Sequence, residues 1–226
     1  HVTYLDADLY FYSAVSSAFT ELGDKSIYTV EHRYPRGEES RNNTSGRFNV
    51  GFQIFRRDKE SLKCLKRWRN QCLQWCYARV EDGKMGDQMY LNEWPSLYPN
   101  LVISRHLGIN VAPWNIRQYR VSPKQGKVYI NDFPLICYHF HQFKILSDST
   151  FDPVTGYFLS GNVRKFIYEP YMNEMKNQIS KIKQVDPSFQ TPITTQTIRS
   201  RARNLLLPPL GRIYWRISSL TTVLKD

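Results

Sequence analysis

The spacing of apolar residues changes several times along the chain, and each change marks a new element. Val2, Tyr4 and Leu5 close an apolar run that reads as the end of a buried strand. A helix is predicted over residues 15–22, ended by Gly23, and a strand over 26–32. Residues 33–47, "RYPRGEESRNNTSGR", offer only Tyr34 to a core and read as a mobile loop. "FNVGFQIFRR" (48–57) is an apolar strand in which Gly51 signals a close backbone approach. The clearest helix covers residues 59–80, with Leu62, Leu65, Trp68, Cys72, Trp75, Cys76 and Arg79 at three- and four-residue steps. "GKMGDQMYLNEWP" reads as a loop entering a short helix that Pro95 ends. Residues 100–106 form a short strand and 111–116 an extended segment; "KVYIND" and "FPLICYHFHQF" read as two antiparallel strands. The pattern lapses over 145–162, and a helix is predicted over 164–183. Strands and helices intermix without an internal repeat, which predicts an α/β core with a mixed sheet.

The net charge of +11 points to an anionic partner: nucleotide phosphate, nucleic acid or acidic lipid. A hydrophobic fraction of 41% suffices for a core, and no stretch reaches the apolar length of a membrane span. The four cysteines do not suggest a disulfide framework, and reduced, buried thiols are expected. No secretory signal and no initiator Met open the chain, so the expectation is a cytoplasmic fragment with sequence missing on its N-terminal side.

Four short segments carry candidate chemistry. In "YLDAD", Asp6 and Asp8 follow the first strand, and in extended geometry residues i and i+2 face the same side. Two carboxylates so placed repel unless a proton or a hard divalent cation, Mg2+ or Mn2+, relieves them. The alternative is a solvated turn with Asp8 as a helix cap. In "YHFHQFK", His139 and His141 share a strand face, either as structural histidines or, as imidazole with two carboxylates, in a set that suits manganese, and Lys144 can neutralise phosphate. In "GDQMYLN", Asp87 and Gln88 stand near a helix start, either as a cap or bonded to sugar hydroxyls. In "FNVGF", Asn49 beside Gly51 either pairs with backbone or faces a polar pocket.

Taken in order, "YLDAD", "FNVGFQIFRR", "DQMYLN", "APWN" and "YHFH" resemble the nucleotide-sugar glycosyltransferases of the GT-A fold, most nearly the glycogenin-like and bacterial lipopolysaccharide sugar transferases. The resemblance covers residues 1–145. It implies a metal held by Asp6, Asp8 and His139 on the diphosphate of a donor, by family default a UDP-sugar. It implies that Asn49, Asp87 and Gln88 face donor sugar or acceptor, with Asp87 and Gln88 the catalytic candidates and Asn49, Gly51, His141 and Lys144 the binding ones. The family usually has a glycine and Lys-Pro-Trp after its "HF" block, where this chain has His141, Gln142 and Lys144, so the phosphate role of Lys144 departs from the pattern. The family's nucleotide-binding half precedes the D-x-D and is expected to lie outside this chain. The expected division is a partial GT-A catalytic domain over 1–160 and a helical, basic extension over 161–226.

Two other classes share parts of this pattern. Phosphatases that use a D-x-D need Thr or Val two residues after the second Asp and an acid four residues after a later Gly-Asp; Tyr10 and Leu91 occupy those positions. A nucleic-acid-binding module fits the charge, but no nucleic-acid motif is present and the aromatics fall at core-periodic positions. The reading is therefore a sugar transfer to a glycan, glycolipid or protein acceptor, without nucleic acid. The Arg- and Leu-rich tail from residue 198 is either a peripheral attachment to anionic membrane or a segment packed on the domain.

Overall fold

The computed structural model describes residues 1–194; the tail from residue 198, with its membrane alternative, lies outside the described residues. In chain order the strands are β1 (Val2–Leu5), β2 (Leu9–Phe11), β3 (Ile27–Glu31), β4 (Phe48–Phe55), β5 (Leu101–Ile103), β6 (Val121–Lys124), β7 (Lys127–Ile130), β8 (Phe133–Pro134), β9 (Cys137–His139), β10 (Lys144–Ile145) and β11 (Phe151–Asp152). The helices are α1 (Ser16–Leu22), α2 (Asn42–Ser45), α3 (Lys59–Gln74), α4 (Trp94–Leu97), α5 (Gly161–Val163) and α6 (Glu169–Val185). The chain is mixed α/β. The described residues fall into two compact units that interleave in sequence: residues 1–141 with 156–171, and residues 142–155 with 172–194.

In the first unit the main sheet has the order β1-β4-β3-β5, antiparallel except for the parallel β3–β5 pair. Every residue of β4 is buried. Phe52 and Ile54 pack with Ala18 and Leu22 of α1, whereas Phe48 and Val50 pack with Cys64 and Trp68 of α3. Strict alternation would put all four on one face. The phase changes around Gly51, in the stretch where the β3–β4 register shifts between Tyr28 and Val30. The irregularity exchanges the faces served by the even-numbered residues on either side of Gly51, so that Phe55 joins Phe48 and Val50 in the α3-side core.

Several elements differ from the sequence expectation. β1 is an edge strand paired only with β4, so Val2, Tyr4 and Leu5 are exposed rather than buried. Asp58 opens α3 through a capping box with Ser61, whose N–H donates to Asp58 Oδ1 at 2.9 Å. α3 then stops at Gln74, because Trp75 turns extended. Its buried face is Ser61, Cys64 and Trp68, and Leu62 is exposed. Pro95 starts α4 instead of ending a helix, since proline's missing N–H costs nothing in a first turn. The sequence pattern does not announce the hairpin of β6 and β7, because Pro123 masks the first strand; Gln125 and Gly126 both take positive φ, as a tight two-residue hairpin turn requires. Residues 33–47 are not featureless: Glu39–Arg41 make a 3-10 turn that leads into α2. The C-terminal helical stretch contains a π-type turn at Arg164–Tyr168, just before Pro170, which has no N–H to donate to the preceding turn.

The rotated face of α3 has a measurable consequence. Trp68→Ala is expected to cost about 3–5 kcal/mol in urea unfolding, whereas Leu62→Ala should change stability by no more than about 0.5 kcal/mol. A large loss at Leu62 would contradict the packing described.

Candidate metal centre

Asp6 and Asp8 come together through a turn, not through strand alternation. The chain reverses at Ala7–Asp8 between β1 and β2, and Leu9 N–H donates to the Asp6 carbonyl at 3.4 Å. Two longer-range backbone bonds fix this turn: Asp6 N–H donates to Gly51 O of β4 at 3.1 Å, and Phe140 N–H donates to Asp8 O at 2.8 Å. Because β2 pairs with β9, Leu9 lies opposite His139. His139 Nε2 then lies 2.9 Å from Asp8 Oδ1 and 3.7 Å from Asp6 Oδ2. One ligand atom from each of the three residues lies within 4.8 Å of the others.

A buried hydrogen-bond relay decides how the His139 ring is used. Gly51 N–H, which can only donate, bonds Asn49 Oδ1 at 3.0 Å. The Asn110 group facing that same oxygen, at 2.9 Å, is therefore its NH2. Asn110 Oδ1 then faces His139 Nδ1 at 3.2 Å, so Nδ1 carries hydrogen. Nε2 is left to meet the carboxylates, with a lone pair for a cation or with a second proton. At the other end, Asn49 Nδ2 faces His32 Nε2 at 3.3 Å, while His32 Nδ1 donates to Gly46 O at 2.9 Å. Gly51 is needed for this closeness. A Cβ there would meet Asn49 Oδ1 at 2.7 Å and the His139 ring at 2.9 Å.

The segment carrying Asn110 is itself pinned. Arg33 keeps some exposure, but its guanidinium reaches inward and donates to the carbonyls of His106, Ile109 and Asn110. Trp114 Nε1 and Asn115 Nδ2 donate to His32 O at 3.1 and 2.9 Å, which sets the "APWN" segment against the relay. Sequence reasoning missed His32, Arg33 and Asn110. Asn110 takes φ of +55°, which asparagine tolerates better than most residues, but nothing in the sequence marks that.

Burial raises the pKa of Asp6, and the charge of Asp8 adds to this, while His139 opposes it. For Asp8 burial also acts upward, but the hydrogen bond and charge of His139 outweigh it and hold the carboxyl below its ordinary range. The two acids are thus pushed apart. Asp87 does not cap a helix; burial raises its pKa, with the charge of Asp6 adding. Tyr4 lies at the surface, but partial desolvation where its ring packs on Trp68, and then the charges of Asp6 and Asp87, push its pKa up to about 12. Gln88 Oε1 accepts from Asn49 Nδ2 at 3.4 Å. Asn49 is buried and bonded on both side-chain atoms, so it orients neighbours and does not itself open onto a pocket. His141 follows β9 and stands beside His139, with ring centroids 6.5 Å apart. Lys144 belongs to the second unit, where it donates to Thr155 Oγ1 at 3.1 Å. Two carboxylates and an imidazole with its Nε2 toward them fit a divalent cation with a taste for oxygen and nitrogen, Mg2+ or Mn2+.

Comparison with known proteins found two longer relatives in Bacillus subtilis strain 168. The uncharacterized protein YfnD is 32% identical over 192 residues, 84% of this chain and 62% of the relative. The uncharacterized protein YfnF is 31% identical over 195 residues, 83% of this chain and 64% of the relative. The chain thus spans somewhat under two thirds of the length of these curated relatives. No family model matches it, and no solved structure does. Among the described residues no helix is long and apolar enough to cross a membrane.

Two outcomes test the relay. In 15N NMR the His139 ring is expected to hold hydrogen on Nδ1, and Asn110→Gly, which keeps the positive φ but removes the amide, should release the ring to a tautomer mixture. An unchanged spectrum would show that Asn110 does not set the tautomer. Burial lowers the pKa of His32 to about 3 from 6.5. Between those values the unfolded chain binds the proton and the folded one does not, so this stability is complete above pH 6.5 and drains away toward pH 3. The acid limb of the stability profile should therefore be shallower in His32→Gln than in the wild type, by on the order of a few kcal/mol across the window.

Proposed function

We propose that the chain is part of a metal-dependent glycosyltransferase of GT-A type that moves a sugar from a nucleotide diphosphate to an acceptor. The observation that carries this reading is the meeting of Asp6, Asp8 and the Nε2 face of His139 at one point. The order of the sequence blocks, from "YLDAD" to "YHFH", supplies the class of reaction. Asp6, Asp8 and His139 would hold Mn2+ or Mg2+, which when bound screens the diphosphate and stabilises it as a leaving group.

The remaining roles follow from position. Asn110 and Asn49 keep the His139 ring turned toward the carboxylates. Asp87, beside Asp6 and with its pKa raised by burial, is suited to hold a proton near a sugar hydroxyl, and Gln88 is the neutral hydrogen-bonding partner next to it. The donor is a UDP-sugar by family default, and the acceptor a glycan or glycolipid. The same reading extends to a cytoplasmic protein that visits an anionic membrane surface where a lipid acceptor resides.

Calorimetry with Mn2+ and a UDP-release assay with Mn2+ and a panel of UDP-sugars test this together. Asp8→Asn should weaken Mn2+ binding and lower UDP release by more than about 100-fold, beyond the 10–100-fold usual for outer-sphere partners. Full Mn2+ affinity in Asp8→Asn would sink the centre, and salt-sensitive binding to DNA or RNA in place of donor turnover would favour a nucleic-acid module.

A further inference from the structure

A cleft of about 290 Å³ opens in the first unit, lined by Glu38, Arg41, Trp114, Arg117, Tyr157 and Phe158 among others. Its size is near the lower bound of ligand clefts, about 300 Å³, and suits one small ring better than a long chain. Its polar wall is ordered in advance. Glu38 Oε2 accepts from Arg41 Nη1 at 3.0 Å, and Glu38 Oε1 from Arg117 Nη2 at 2.5 Å. Arg41 Nη2 donates to the Tyr157 hydroxyl at 3.1 Å, and its guanidinium sits 4.7 Å from the centre of the Tyr34 ring. Each carboxylate oxygen keeps a second lone pair, and both guanidinium groups carry N–H donors beyond these bonds. The wall therefore offers alternating acceptors and donors at close spacing.

Its other wall is aromatic. Trp114 is buried, Tyr157 half-buried, and Phe158 has 64% of its surface exposed. Trp114 also meets the rings of His139 and His141 edge-on, at 5.1 and 5.5 Å between centroids, so one side chain borders both the cleft and the candidate metal centre. Alternating donors and acceptors match adjacent hydroxyls. An aromatic face, negative at its centre, matches the weakly positive C–H face of a sugar ring. Glu38 offsets one of the two arginine charges, which disfavours a site built for bare phosphate.

We propose that this cleft binds a pyranose ring, the acceptor's terminal sugar, delivered next to the metal centre by way of the Trp114 wall. The acceptor role rests on the glycosyltransferase reading; the binding of a pyranose does not. Saturation-transfer NMR on the whole chain, without metal or nucleotide, tests binding with millimolar methyl hexopyranosides and methyl N-acetylhexosaminides, with inorganic phosphate as competitor. Transfer from at least one glycoside is expected, undisturbed by phosphate. Tyr157→Ala and Glu38→Gln should each weaken it about tenfold or more. Phe158→Ala, at an exposed side chain, should also weaken it, and circular dichroism confirms that each variant is folded. No transfer from any glycoside, displacement by phosphate, or transfer that survives all three variants would overturn the proposal. Sugar binding lost in the cleft variants, together with no metal-dependent UDP release, would uphold the cleft and refute the transfer reading. Metal-dependent transfer whose acceptor KM is unmoved by Tyr157→Ala would refute the cleft alone.

Discussion

Two carboxylates held at one turn are the constraint around which the first unit is arranged. Asp6 and Asp8 would separate if their turn were free, since like charges this close raise each other's cost of ionisation. They are held because the backbone of each is bonded into a different strand pairing: Asp6 to Gly51 of β4, and Asp8 to Phe140 just past β9. His139 relieves the repulsion from the buried side. The close approach of β4 to His139 in turn requires a residue without a side chain at position 51. The register shift, the glycine and the paired acids are thus parts of one solution.

Much of this was legible in residue types and little of it in periodicity. Asp6, Asp8 and His139 stand out because charged and imidazole groups directly after apolar strands need a reason. Gly51 stands out because glycine weakens a strand unless something comes close. Their mutual placement was not legible. Extended alternation would also put Asp6 and Asp8 on one side, but a turn does so here, and the pairing of β2 with β9 joins residues far apart in sequence. The buried face of α3 was misjudged for a related reason: Leu62 and Trp68 both fit a helical stripe, and only packing against β4 selects Cys64 and Trp68. β1 failed in the opposite sense, because an apolar composition does not reveal an edge position.

The polar interior explains why Asn49 and the "APWN" segment carry so much of the sequence signal. Asn49, Asn110, Asn115 and His32 are all buried, and each has its side chain bonded to the others or to backbone. Such a network is costly when half made and rigid when complete. Arg33 adds a charge whose partners are carbonyls, and burial lowers its pKa accordingly. A guanidinium that bonds three carbonyls of one loop holds the loop's path more tightly than a single bond would, and that loop carries Asn110.

The relay behind His139 is made of amides, and its charge balance gives a reason. Metal-binding histidines often lean on a carboxylate, which orients the ring and raises its basicity. Here two carboxylates already face Nε2, and a third acid behind Nδ1 would add another buried negative charge to a region where burial already raises Asp6 and Asp87. Amides orient the ring without that cost, but an amide alone can flip. Its direction must be grounded on groups that cannot exchange roles. The Gly51 N–H and the Gly46 carbonyl supply those two fixed ends. Neutral His32 closes the chain between them, and its burial keeps it neutral. The tautomer of His139 is therefore set by two backbone groups, and the side chains between them transmit a direction without carrying a charge.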